Sequence, residues 1–437
     1  MHLPGAPQKE HGYLVSKPQA WLAFALSFLL MAFDFIDRQI VVSMFPHLKE
    51  EWGLSDQQLG ALVSIVAITV ALGTLPISLF VDNWSRVKGV VAMATVWSLA
   101  TISCAFTGTY GQLLVARGFI GLGEAGYGPA AGALLSSVFP TRMRATIIGG
   151  FLAAATFGSV IGVILGGVIA SRWGWKTAFG VVGVPGLLLA VLYLFVRDYR
   201  APELVIDAPS KIHRANGIAR ELFRARSGIA AYLGSALQLV TTSTMVAWLP
   251  SYFNRVYGQP AERAGVWAAG IIVCATLGVV FWSIVADRLA RRDLRWRMFT
   301  PAACCFATLI IFSVAFGALQ AGPLQLALIA LGGFLMAATT GPMPAVAIDV
   351  VHPALRSTAA SMVTVAQNLF GLGIGPLIAG ALSDRFGLQT AMALVSLSCG
   401  FAALVLVVGA RTYRRDHDAV AGLAVAPDLV DAAPLAA

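Results

Sequence analysis

The chain has 437 residues, 58% of them hydrophobic and only 12% charged, against roughly 45–50% apolar and 25% charged in ordinary soluble domains. That composition excludes a soluble globular class and predicts an integral membrane protein. The net charge of +9 does not point to nucleic acid, because the cations are split among thin loops without interleaved aromatic residues.

Residues 1–19 show no signal-peptide pattern and are read as a cytoplasmic N-terminal segment. Apolar runs follow at 20–45, 58–81, 89–107, 110–138, 146–170 and 177–196, then at 228–253, 264–286, 298–318, 323–348, 357–382 and 388–410. Each is long enough to cross about 30 Å of hydrocarbon as a helix. The expectation is an all-α membrane protein of twelve transmembrane helices in two six-helix bundles, 20–196 and 228–410, joined by a cytoplasmic linker at 197–227. The segment 411–437 reads as a cytoplasmic tail, and its Ala, Pro and Asp content from 416 onward predicts disorder. With both termini cytoplasmic, the inner loops and termini hold 22 of the 30 Lys and Arg and the outer loops six, which fixes orientation by the positive-inside rule.

Charges inside the crossings need a reason, since each costs on the order of 2.5–3.5 kcal/mol at mid-bilayer. The first crossing carries Asp34, Asp37 and Arg38, and the fourth carries Arg117 and Glu124, seven residues apart and so on nearly one helical face. An Arg38–Glu124 pair that merely pins two helices is weak as a stabiliser, because desolvation offsets its Coulomb gain. Gly118, Gly121 and Gly123 around Arg117 leave open a packing role for that residue. Asp34 can be a second proton site or a group that reaches water. The five cysteines all lie in apolar runs without metal-ligand spacing, so neither a metal nor a cofactor is expected.

The two halves repeat each other. Gly73, Ser78, Asp82 and Arg86 recur as Gly278, Ser283, Asp287 and Arg291 at an offset of 205 residues. Phe157, Gly158, Gly162, Gly167, Arg172, Gly174 and Thr177 recur as Phe370, Gly371, Gly375, Gly380, Arg385, Gly387 and Thr390 at an offset of 213. Two parallel six-helix repeats are the layout in which a substrate site lies at the midplane between them.

These residues resemble the major facilitator superfamily over 20–410. Ser78 through Asp82 to Arg86, and the second copy ending at Asp287 and Arg288, are similar to the superfamily's signature loop, and Arg117-Gly118-Phe119-Ile120-Gly121 is similar to its fourth-helix signature. Asp37-Arg38-Gln39-Ile40, Gly53 through Gly60, Gly123-Glu124-Ala125-Gly126-Tyr127 and Trp248-Leu249-Pro250 resemble the bacterial spinster-like branch. Organic anion:cation symporters carry a similar Asp-Arg and Glu-Ala. Three departures stand out: Ser78 and Ser283 replace a usual Gly, Asn83 replaces a usual basic residue, and Val163 stands where an antiporter signature has the Pro that its counterpart Pro376 retains.

The resemblance implies a secondary transporter of the bacterial inner membrane that works by alternating access as a monomer, with a proton or another cation coupled to a small amphipathic or anionic substrate. It carries Asp37, Arg38 and Glu124 over as the central polar group. Burial favours the neutral acid and a neighbouring guanidinium the carboxylate, so Arg38 is expected to keep Glu124 or Asp37 ionised until an anionic substrate takes it bidentately. Asp82 with Arg86 and Asp287 with Arg291 are read as inner-gate latches, or else as topology signals in solvated loops. Gln238, Thr241, Thr242, Trp248 and Tyr252, Thr339 and Thr340, and Gln367 and Asn368 supply neutral hydrogen-bonding capacity, and Tyr127 follows Glu124 by three residues. Together they suggest a site for an anionic head on an apolar or aromatic body, such as a lysophospholipid, a sphingoid phosphate or an aromatic or sugar acid; interhelical hydrogen bonding is the competing role. An enzyme is not expected, because the six histidines are scattered over tails, loops and helix ends. No P-loop occurs, which excludes a nucleotide-driven pump. A non-transporting sensor would need a signalling domain larger than the linker of about thirty residues.

Overall fold

The structure, a computed structural model, describes residues 13–197, 220–352 and 355–424, without the side chains of 75, 78–80, 82–83, 141, 145, 357 and 421–424. Among the described residues the regular structure is helical and no strand occurs. In chain order the helices are α1 Lys17–Ser43, α2 Phe45–Trp52, α3 Asp56–Trp84, α4 Arg86–Cys104, α5 Tyr110–Glu124, α6 Tyr127–Val138, α7 Arg144–Trp173 and α8 Trp175–Tyr193. They continue as α9 Arg226–Arg255, α10 Ala261–Ala290, α11 Trp296–Gly317, α12 Pro323–Leu335, α13 Pro342–Asp349, α14 Arg356–Ala366, α15 Gly375–Phe386, α16 Leu388–Val395 and α17 Leu397–Ala424. A π-helical turn, Gln367–Leu372, joins α14 to α15.

Ten of these crossings are long and apolar enough to span a bilayer, the eleventh through the π-helical turn and the twelfth through the joint of α16 and α17. The fourth and tenth are each made of two shorter helices, α5 with α6 and α12 with α13, which completes the twelve expected. Both breaks have a proline cause. Pro129 has no N–H for the Ala125 carbonyl, and Pro342 and Pro344 leave those of Ala338 and Thr340 without their helical donors. Entry points follow local rules: Ser55 and Gln58 form a capping box at α3, with bonds of 3.0 and 3.1 Å, and Ser85 accepts from Lys88 N at 3.1 Å to open α4.

Two compact units result. The first is the chain up to 197 together with Ala247–Ile272, and the second is 220–246 with 273–424. Residues 247–255 of α9 and 261–272 of α10 therefore belong to the first unit. The repeat is visible in the backbone: Gly53 and Gly258, 205 residues apart, both have φ of 63°, and Gly174 and Gly387, 213 apart, both have φ of 82°. Residues with a Cβ avoid that region. The repeat extends to helix packing. Gly158 and Gly162 of α7 lie against the Ala32 and Ile36 backbone of α1, while Gly371 and Gly375 lie against Leu239 and Val240 of α9.

The segment expected as a disordered tail is helical through Ala424, because α17 continues past the apolar run. Tyr413 is fully buried and donates to Asp349 Oδ2 at 2.7 Å, and Asp416 Oδ2 accepts from Ser227 N at 3.0 Å. Residues 425–437 and most of the expected linker, 198–219, lie outside the described residues.

Replacing Gly158 by Leu drives a side chain into the Ala32 carbonyl and should cost about 1–3 kcal/mol or more. A lowered thermal unfolding midpoint is the expected reading, with Gly149→Ala, where nothing lies within 4 Å, leaving it unchanged.

Candidate functional site

The deep charges of the first unit converge on α1 and α5. Asp34, Asp37 and Arg38 sit at spacings of three and four on α1, which places them on one helical face. Arg38 Nε donates to Asp34 Oδ1 at 2.7 Å, one turn back, and Arg38 Nη2 lies 2.8 Å from Glu124 Oε2. The Phe35 ring backs the same guanidinium, 5.2 Å from its centroid. Glu124 is the last residue of α5, so the carboxylate stands where the fourth crossing breaks.

A second pair lies beside it, both of its side chains enclosed. Arg117 Nη1 is 3.8 Å from Asp37 Oδ2 and donates to the Asp37 carbonyl at 3.3 Å, while its Nε donates to the Leu62 carbonyl at 3.3 Å. One guanidinium thus ties α5 to both α1 and α3. Neither Asp37 carboxylate oxygen has a hydrogen bond among the described residues. The pairing differs from the simplest expectation: Arg38 holds Asp34 and Glu124, and Asp37 belongs to Arg117. Solvent access separates Arg38 from the other four charges, because its side chain is 19% exposed whereas those of Asp34, Asp37, Glu124 and Arg117 are at most 5% exposed.

Tyr127 is fully buried, donates to the Ser27 carbonyl at 2.6 Å and meets Trp97 edge-on at 5.2 Å. Its hydroxyl braces α6 against α1. Trp248 is also enclosed, 5.1 Å from the Phe45 ring and 5.9 Å below the Arg255 guanidinium. It belongs to a cluster near the end of α2, the start of α3 and the end of α9 that sequence reasoning missed, in which Asp56 accepts from Arg255 at 2.7 and 2.9 Å and from Lys49 at 2.6 Å. Arg255 is 199 residues from Asp56, and only the acid in the first turn of α3 and the base in the last turn of α9 hinted at it.

In the second unit the neutral polar residues repair interrupted backbone. Gln238 Oε1 accepts from Thr339 N at 3.1 Å and from the Thr339 hydroxyl, and Thr242 donates to the Met336 carbonyl at 2.7 Å, both at the break between α12 and α13. Gln238 Nε2 has no hydrogen-bond partner among the described residues. Thr241 donates to the Val395 carbonyl at 3.2 Å and pairs with Ser398 at 2.8 Å, where α16 gives way to α17. Gln367 and Asn368 open the π-helical turn, and Asn368 Nδ2 donates to the Thr364 carbonyl at 3.0 Å. Such turns recur at functional positions.

Of the expected latches, the Asp82 side chain lies outside the described residues, while Arg86 sits at the start of α4. Asp287 does not take Arg291. Its partner is Arg297 at 3.3 Å, which also binds Asp349 at 2.6 Å, so that the ends of α10, α11 and α13 are joined through one guanidinium. Arg291 follows the end of α10 in an exposed turn. Arg297, Asp349 and Tyr413 were not singled out in the sequence because their separations exceed any local spacing rule.

The model of the Major Facilitator Superfamily matches residues 27–376. The chain belongs to the Major Facilitator Superfamily. Among relatives of this superfamily member, a gallate transporter of Pseudomonas putida is 26% identical over 449 residues, covering 95% of this chain and 98% of the relative. Human protein spinster homolog 1 is 26% identical over 381 residues, covering 80% and 71%. Among solved structures, an inward-facing, unoccupied bacterial homologue of the human lysosomal transporter Spinster superposes with a TM-score of 0.81 at 21% identity, covering 92% of this chain and 99% of that one. The fold is therefore that of a spinster-like facilitator, and the relatives are transporters.

The Arg117 pair yields a stability prediction. Arg117→Leu strands the Asp37 carboxylate in an apolar interior and should destabilise by about 3–5 kcal/mol, whereas Arg117→Leu combined with Asp37→Leu should recover a large part of the loss. Thermal unfolding in detergent compares the two variants.

Proposed function

We propose that this protein is a secondary active transporter of a bacterial inner (cytoplasmic) membrane. It works by alternating access as a monomer with both termini cytoplasmic, couples to protons, and moves an amphipathic or organic anion of the lysophospholipid or sphingoid-phosphate kind. The observation that carries this reading is the position of Arg38. It is the one reachable charge of the cluster, and its fork is occupied by two carboxylates, Asp34 and Glu124.

Three carboxylates face two guanidiniums there, an excess of one negative charge in an apolar surround. The cluster is neutral when one carboxyl group carries a proton. An incoming carboxylate or phosphate that takes the Arg38 fork displaces Glu124 or Asp34, and the displaced group, desolvated and without its cation, binds a proton. Glu124, Asp34 and Asp37 are the proton-coupling residues of this scheme and Arg38 is the anion clamp. Arg117 and Tyr127 hold the clamp's helices in register. Gln238, Thr241, Gln367 and Asn368, in the second unit, and Trp248, in the first, are the neutral substrate-binding residues of this proposal. Asp287 with Arg297, rather than with Arg291, is the second-unit latch, and Asp82 with Arg86 is its first-unit counterpart.

A second reading has a specific support. The gallate transporter among the relatives favours a small aromatic acid as the substrate, carried by the same clamp in the manner of an organic anion:cation symporter.

Reconstituted protein should bind or take up one of these anions in a pH-dependent way. Glu124→Gln is expected to abolish the pH dependence while leaving the fold intact, and normal transport with an unchanged pH profile would remove Glu124 from the proton path. Arg38→Lys keeps the charge but loses the fork, so affinity should fall roughly ten- to hundredfold, the equivalent of about 1.5–3 kcal/mol. A panel of lysophospholipids, sphingoid phosphates, hexuronates and aromatic acids decides between the two substrate classes.

A further inference from the structure

The second unit carries a recess lined by apolar residues of two helices. It is a trough of about 920 Å³ between α11 and α17. Small residues make its floor, Ala303 on one helix and Gly400 on the other, where an added Cβ would meet Leu309 Cδ2 at 2.9 Å. Large ones make its walls: Trp296, Phe306, Phe401 and Leu404 are 44–64% exposed. Leu404 also forms the rim of a second recess of about 370 Å³, on the other side of α17, together with Arg226 and Leu233. A smooth helix face touches bulk lipid without retaining any one molecule. A trough contacts a chain from several sides, and those dispersion contacts add up.

One end of this trough is not apolar. An added Cβ on Gly409 of α17 would meet Met298 Cε of α11 at 2.6 Å, so the start of α11 and the residues after Val407 share that end. Arg295 directly precedes Trp296, Arg411 follows Val407 by one turn, and Arg226 stands at the mouth of the second recess. All three are exposed, and no ion pair engages their side chains among the described residues. An indole at the interface and guanidiniums beside it are the groups that hold an anionic headgroup over buried acyl chains.

We propose that α17 carries an anionic phospholipid, one acyl chain in the trough against α11, the second in the recess beyond Leu404, and the phosphate on Arg295, Arg411 and Arg226. Charge complementarity selects this occupant over a second copy of the chain. A two-fold pairing of equally oriented copies on this face would bring both sets of three arginines to the same rim, where Asp293, whose carboxylate accepts from Arg295 N at 3.0 Å, offsets only one of each set.

Native mass spectrometry of the full chain in mild detergent, with equimolar phosphatidylglycerol and phosphatidylcholine of matched acyl chains, tests this. The wild type should retain phosphatidylglycerol at least fivefold over phosphatidylcholine. Arg295→Gln combined with Arg411→Gln should lose that preference, and Ala303→Trp, which fills the trough from an exposed position, should lower retention of both lipids. Equal retention of the two lipids by the wild type, an unchanged preference in the double variant, or a lipid-free dimer would overturn the proposal. Elution volume and unfolding temperature matched to the wild type establish that each variant is folded.

Discussion

The first unit depends on one constraint: a guanidinium in hydrocarbon must be matched by carboxylates, and Arg38 and Arg117 meet that demand differently. Arg117 is sealed, spends its donors on two backbone carbonyls and lies beside Asp37. Arg38 is the partly exposed member and makes its bonds entirely to side chains. The sealed pair fixes where α5 stands against α1, and that fixed spacing allows the other guanidinium to span Asp34 and Glu124. A buried pair contributes little net stability; what it contributes here is position.

The halves use the same backbone device with different chemistry. The fourth and tenth crossings are both interrupted by proline, and polar side chains gather at both places. In the first unit the interruption carries a carboxylate, Glu124, and a tyrosine whose hydroxyl reaches α1. In the second unit it is served by an amide and two hydroxyls, those of Gln238, Thr242 and Thr339. Duplication preserved the geometry, and the charge stayed on one side only.

Much of this was legible in the sequence. Apolar run length, the spacing of the repeated glycines and the isolation of five charges in two crossings lead to twelve helices, two repeats and the cluster of α1 and α5. The partners within that cluster were harder to read. Asp34 and Asp37 are both close to Arg38 along α1, and only the packing of α5 decides that one takes Arg38 and the other Arg117. The bond of Asp56 to Arg255 and the triad of Asp287, Arg297 and Asp349 were invisible for a related reason: Arg255 is 199 residues from Asp56 and Asp349 is 52 from Arg297, and each, taken alone, looks like an ordinary helix-end charge. The continuation of α17 was missed because two of its polar residues bond to other helices, Tyr413 to Asp349 and Asp416 to Ser227, partners that no local spacing reveals.

The sealed contact of Arg117 with Asp37 also bears on how the chain is made. During synthesis α1 leaves the ribosome about eighty residues before Arg117, carrying two carboxylates and one guanidinium with no cation yet available to Asp37. A helix so charged is poorly suited to release into lipid on its own. The insertion machinery is therefore expected to keep α1 at its lateral exit until α5 arrives, so that the first crossing to enter is among the last of its unit to be let go.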